Sequence, residues 1–185
     1  MLPTLAPGDY FFTSKFAYGY NKYSFPNDFG PVEGAFRKPP QRGDVAIFRF
    51  PSNPKIDYVK RVIGLPGDRI QMKEEILYLN GVAVPRVRLG EFSFDEYDEN
   101  LPIEYEETLP GGKAYSIIES FQDSRGDNTR EFVVPAGHYF MMGDNRDNSA
   151  DRRFDVGFVP EENIYAKATL VFFNKENRRG PRWIR

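Results

Sequence analysis

Turn residues interrupt this chain so often that long helices have nowhere to form. No stretch sustains a helical period, and there is no internal repeat. Apolar residues fall instead in short runs. Tyr10-Phe11-Phe12 follows Pro7-Gly8-Asp9, and further runs cover Asp44 to Phe50, Tyr58 to Ile63 and Arg69 to Met72. Asn80-Gly81 stands between Ile76 to Leu79 and Val82 to Val84, the strongest short hairpin signal a sequence can carry. Later runs are Phe132 to Val134, His138 to Met142 and Tyr165 to Phe173. With 17 Phe, 11 Tyr, 15 Pro and 16 Gly, the composition favours strands joined by turns. The expected fold is mainly β and antiparallel, with a barrel-like core.

Charge divides the chain. Arg86 to Glu131 holds 12 acidic and 5 basic residues, whereas the remainder holds 15 acidic and 20 basic. Residues 85–131 are therefore expected to form an inserted acidic β-ribbon or cap. Residues 1–84 and 132–185 are expected to form one discontinuous core, within reach of a chain of 185 residues. Tyr18 to Gln41, rich in Gly, Pro, Asn and Tyr, reads as a long irregular loop. The last residues bring Lys175, Arg178, Arg179, Arg182 and Arg185 together with Trp183. A basic tail bearing a tryptophan suits an anionic membrane surface, though also nucleic acid or plain solvent.

Several chemistries are excluded. Without cysteine there is no disulfide, thiol nucleophile or thiolate metal site. With His138 as its one histidine, the chain has neither the set for a multi-histidine metal site nor an obvious Ser-His-Asp triad. No run reaches the ~18 apolar residues of a membrane span, so residues 1–185 are expected to be soluble by themselves.

Three segments could carry chemistry. In Asp57 to Gly64, alternation places Tyr58, Lys60 and Val62 on one face and Val59, Arg61 and Ile63 on the other. Lys60 either snorkels to water or is partly buried, and burial would favour its neutral amine as a base. Gly143 to Arg153 packs three acids, three arginines, two asparagines and Ser149 into eleven residues. Its arginines argue against a cation cage and favour a hydrogen-bonded loop that places one hydroxyl. The third segment is Met1 to Asp9, which starts abruptly on apolar residues.

In this order the segments resemble the bacterial type I signal peptidases. That family carries Ser-Met-x-Pro-Thr-Leu, a Gly-Asp strand, Tyr-x-Lys-Arg before Gly-x-Pro-Gly-Asp, and Gly-Asp-Asn-x-x-x-Ser-x-Asp-Ser-Arg. Here the counterparts are Met1 to Leu5, Gly43-Asp44, Tyr58 to Asp68 and Gly143 to Arg153, continued by Gly157-Phe158-Val159-Pro160. Arg152 departs from the pattern, standing where serine is usual.

The resemblance implies an endopeptidase that removes signal peptides after an Ala-x-Ala site with a serine-lysine dyad. Lys60 falls on the general base and Ser149 on the hydroxyl that orients it. Met1, Leu2, Leu5, Phe11, Ile47, Tyr58 and Val59 fall on the substrate pockets. Asp144, Arg146, Asp151 and Arg153 fall on the supporting framework. No cofactor or metal is implied. The partners implied are the signal peptides of secreted pre-proteins and an anionic membrane surface, not nucleic acid, and the expected state is a monomer.

The implied location is the outer face of a bacterial cytoplasmic membrane. The nucleophilic serine of the pattern immediately precedes Met1, so residues 1–185 alone are expected not to hydrolyse substrate. Two other readings stay open: a non-catalytic peptide-binding protein of the same fold, and a self-cleaving repressor, for which neither a DNA-binding module nor a scissile site is visible.

Overall fold

A computed structural model of the chain describes residues 1–25, 36–93, 101–120, 126–149, 157–175 and 180–184. Fourteen strands organise these residues. In chain order they are β1 (Asp9–Ser14), β2 (Val45–Phe50), β3 (Asn53–Gly64), β4 (Arg69–Lys73), β5 (Ile76–Leu79), β6 (Val82–Ala83) and β7 (Arg86–Glu91), followed by β8 (Ile103–Thr108), β9 (Ala114–Glu119), β10 (Phe132–Val133), β11 (His138–Met142), β12 (Val159–Pro160), β13 (Ile164–Asn174) and β14 (Arg182–Trp183). A single 3₁₀ turn, Glu161–Asn163, is the only helical element among the described residues. Strand pairing is antiparallel throughout, as the alternating runs lead one to expect.

The strands form three sheets. The largest has the order β1-β13-β2-β3-β11-β12, with β14 added to β13. A second sheet runs β10-β4-β5-β6, and its β5–β6 turn is the Asn80-Gly81 hairpin. Both turn residues take positive φ, 54° and 82°, the backbone that this pair of residues accepts most readily. The acidic segment is a three-stranded meander, β7-β8-β9. Within it Glu104 and Glu106 lie on one face while Glu107 turns inward and is fully buried. Alternation along β8 explains how so acidic a stretch holds a strand: most of its charge points outward.

The long strand β3 positions the site. Val62 packs with Ala46, Phe48, Tyr139 and Met141 in one cluster. Val59 packs against a second, with Leu5, Ile47 and Val171. Ile63 enters a third, with Phe140 and Met142 of β11 and Leu109, Tyr115 and Ile117 of the acidic segment. Fully burying such side chains contributes about 1.5–3 kcal/mol each, so β3 is held firmly along its second half. Register does the rest. Ala46 of β2 faces Lys60, and Met142, the last residue of β11, faces Arg61. The loop leaving β11 therefore begins beside Lys60.

Candidate active site

Lys60 is buried, with 9% of its surface exposed, so the snorkelling alternative does not hold. Its Nζ lies 2.5 Å from Ser149 Oγ, within strong hydrogen-bond range, and 5.9 Å from the centre of the Tyr58 ring. The lysine comes from β3 and the serine from the loop after β11, 89 residues later. Ser149 is itself buried. Their closeness depends on Gly143. A Cβ built there would stand 2.1 Å from Ser149 Oγ, 2.7 Å from Ser149 Cβ and 3.3 Å from Lys60 Nζ. No side chain fits that space.

Beneath this pair lies a buried ion pair. Arg61 donates from Nε to Asp144 Oδ1 at 2.8 Å and from Nη2 to Oδ2 at 2.7 Å, a bidentate arrangement. Arg61 Nη1 also donates to the Gly43 carbonyl at 2.9 Å, and the guanidinium lies 4.1 Å from the centre of the Tyr115 ring. Burial opposes the Arg61 charge, but Asp144 outweighs it and holds the guanidinium pKa above its ordinary value. The Thr4 hydroxyl donates to Asp144 and accepts from Arg61 Nη2 at 3.1 Å. That ties the amino-terminal segment to the site. Removing one partner of such a pair typically costs about 3–5 kcal/mol, because the other charge is left buried. Arg61 and Thr4 are not among the residues singled out in the sequence. A charge within an otherwise apolar strand face was the available signal for Arg61.

The Met1 amino nitrogen feels the same groups. Burial lowers its pKa, the Asp144 charge opposes that shift and the Lys60 charge adds to it. The backbone at Met1 thus sits in the electrostatic field of Lys60.

Of the apolar residues expected to line substrate pockets, Leu5 and Ile47 belong to one buried cluster, with Met1, Phe11 and Val59 packed against it. Tyr58 falls elsewhere. Its ring packs on Phe50 at 5.0 Å and Phe48 at 6.1 Å. Leu2 is half-buried and joins none of the buried clusters. Of the four expected framework residues, Asp144 and Arg146 are buried, each 1% exposed. Asp151 and Arg153 lie outside the described residues, as does Arg152.

The family model described as Signal peptidase, peptidase S26, matches residues 1–173. The chain belongs to this family. It is 42% identical to a protein of Rickettsia canadensis named Signal peptidase I, over 183 residues that make up 94% of this chain and 68% of that protein. Identity to the Signal peptidase I of Rickettsia akari is 40% over the same shares. A solved structure of a signal peptidase I from Enterococcus faecalis is 28% identical, covering 70% of this chain and 97% of that one, with a TM-score of 0.41.

A second buried ion pair lies on the loop that carries Ser149. Arg146 Nη2 donates to the Glu107 carboxylate and to the Tyr115 hydroxyl, the latter at 3.1 Å. Tyr115 in turn donates to Glu107 Oε2 at 2.6 Å. Burial, with the Glu107 charge adding to it, pushes the Tyr115 hydroxyl pKa well up, so it remains a donor. At the edge of this cluster burial pushes the Glu119 carboxyl up to about 7, against the pull of Arg86. No cluster of three or more metal-ligating side chains occurs among the described residues.

Proposed function

We propose that this signal peptidase cuts signal peptides from secreted pre-proteins with Lys60 as general base and Ser149 as the hydroxyl that orients it. One observation carries the reading: a buried lysine amine in contact with a buried serine hydroxyl. A lysine in apolar surroundings gives up its proton more readily than one in water, which suits it to act as a base. The reading takes a serine joined to the Met1 nitrogen as the nucleophile, and the Lys60 charge does act on that nitrogen.

In that arrangement the neutral Lys60 amine takes the serine proton as the serine oxygen bonds to the substrate carbonyl carbon. When the carbon–nitrogen bond breaks, the Lys60 ammonium returns the proton to the leaving amine. Lys60 then takes a proton from water as its oxygen bonds to the acyl carbon, and returns that proton to the serine oxygen as the ester bond breaks, releasing the new carboxyl end and restoring the serine hydroxyl. Each step conserves the one proton that Lys60 carries.

The substrate fits as an extended peptide. Strand β1 ends the large sheet, pairing with β13 alone on that path, and an added strand is a common mode of peptide recognition. Met1, Leu5, Phe11, Ile47 and Val59 form a tight apolar cluster that favours small residues before the cut. A pre-protein with Ala-x-Ala before its mature start should be cut there by the full-length enzyme. Changing the alanine next to the cut to Leu should lower kcat/KM by about five- to a hundredfold, since overpacking a close-fitting site costs roughly 1–3 kcal/mol. Mass spectrometry of the products reads the site. Equal cutting of both substrates contradicts the pocket assignment.

A membrane-facing surface belongs to the same reading. Tyr10 and Phe12 of β1 and Phe172 and Phe173 of β13 stand exposed side by side, with Phe12 and Phe172 ring centres 4.6 Å apart. Trp183, 74% exposed, lies on the neighbouring β14. Aromatic residues of this kind settle at the lipid–water boundary. The basic tail contributes less than its composition suggests, because Arg182 Nη2 is 2.5 Å from Asp9 Oδ2. Residues 1–185 should co-sediment with vesicles containing anionic lipid, and less so at high salt. Replacing both Phe12 and Phe172 by Ser should reduce the bound fraction by at least about tenfold, given roughly 1.5–3 kcal/mol per buried aromatic side chain. Unchanged binding by that variant would remove this surface from the account.

A further inference from the structure

The loop that carries Ser149 is held from the acidic segment, and that contact has a use. Asp144 to Asp147 exchange hydrogen bonds with the edge of β9 and the residue after it. The Ile118 N–H donates to the Asp144 carbonyl and the Arg146 N–H donates to the Ile118 carbonyl, both at 2.9 Å, making a short parallel bridge between Ile118 and Asn145. One residue on, the Ser120 N–H donates to Asp147 Oδ2 at 2.7 Å. Side chains repeat the attachment. Glu107 of β8 and Tyr115 of β9 both hold Arg146, and the Tyr115 ring also lies under Arg61. Tyr115 thus touches both Arg61, which pairs with Asp144, and Arg146, two residues further along the loop.

We propose that Glu107 and Tyr115 are positioning residues: through Arg146 and the β9 edge they fix the 143–149 loop so that Ser149 stays against Lys60. This rests on the reading that Lys60 and Ser149 perform the chemistry. The acidic segment is then part of the machinery of cleavage, although it lies far from the site in sequence and supplies no reacting group.

The physical basis is the narrowness of the arrangement. Ser149 Oγ has 2.5 Å to Lys60 Nζ on one side and the Cα of Gly143 closing the other. A loop free to shift by about 1 Å would lose that contact, and displacements of this size cost up to about a hundredfold in rate. Exposed loops ordinarily shift that much. Two buried side chains, two backbone–backbone bonds to Ile118 and the Ser120 N–H bond to the Asp147 carboxylate prevent it here.

Tyr115→Phe in the full-length enzyme is the discriminating variant. It keeps the ring under Arg61 and the Glu107–Arg146 contact, and removes only the hydroxyl that joins them. Expected are a kcat about tenfold lower, a KM within about twofold of wild type, and faster amide hydrogen exchange at Ile118 and Arg146. Glu107→Gln should lower kcat further, and Glu107→Asp, which keeps the charge, should recover part of the loss.

Should Glu107→Gln fail to fold, Tyr115→Phe still decides. An unchanged kcat overturns the proposal, as does a rise in KM alone or a loss confined to thermal stability. Lys60→Met, assayed in parallel, separates this from the parent reading. If Lys60→Met is inactive while Tyr115→Phe is normal, only the positioning role falls. If Lys60→Met cuts normally, the reading beneath it falls and takes the proposal with it.

Discussion

Lys60→Met in the full-length enzyme should lower kcat by at least about a hundredfold, and by as much as about ten-thousandfold, with the fold intact. That is the range a positioned general acid–base group contributes. Methionine matches lysine in length and is apolar, and position 60 is buried beside Tyr58 and opposite Ala46 on β2. The substitution opens no cavity but takes the Lys60 hydrogen bond from the buried Ser149 hydroxyl, so stability should fall by no more than about 1–3 kcal/mol. Circular dichroism and thermal melting check the fold, and steady-state cleavage of a pre-protein checks the rate. A variant that melts normally and still cuts within tenfold of wild type would exclude Lys60 as the base.

Gly143→Ala should cost about ten- to a hundredfold in kcat by moving Ser149 instead of removing it. The added methyl group would overlap Ser149 Oγ and Cβ and crowd Lys60 Nζ. Something must yield, and the serine is the nearest neighbour. Because the backbone at Gly143 lacks the positive φ that penalises alanine, the expected effect is one of contact and not of backbone strain. Gly180→Ala serves as the control: no atom lies within 4 Å of its added Cβ and its φ is ordinary. Activity should survive there. If Gly143→Ala cuts as well as Gly180→Ala, close approach at Gly143 does not hold the pair together.

The two residues of the pair were legible for different reasons than their surroundings. Lys60 stood out because it interrupts an apolar strand face, and Ser149 because it is the hydroxyl in a dense charged loop. The hairpin at Asn80-Gly81 and the strands β2, β4, β5, β11 and β13 were likewise written locally, in turn residues and alternation. What local pattern could not supply was partnership. Arg61 and Asp144 are 83 residues apart, and Arg146 and Glu107 are 39 apart. A charge that will be buried by a distant opposite charge looks, in sequence, like any charge meant for solvent. For that reason nothing in the sequence separates Glu107 from Glu91, Glu106 and Glu131 of the same segment, which do face water.

The sequence reading does not extend β3 back to Asn53, and it expects the acidic segment as a β-ribbon or cap without dividing it into three strands. Their exposed faces carry Asn, Lys, Glu and Arg, which are not strand formers by preference, and pairing with neighbours overrides that preference.

The central claim is that the residue joined to Met1 attacks the substrate and Lys60 activates it. The most direct test is to express the chain with its native upstream sequence, holding either serine or alanine at the position before Met1. Both forms are then offered an Ala-x-Ala pre-protein in lipid or detergent. The account predicts that the serine form releases the mature protein and the alanine form does not, although both fold and both bind the peptide. Equal cleavage by the two forms would place the nucleophile elsewhere and contradict the account.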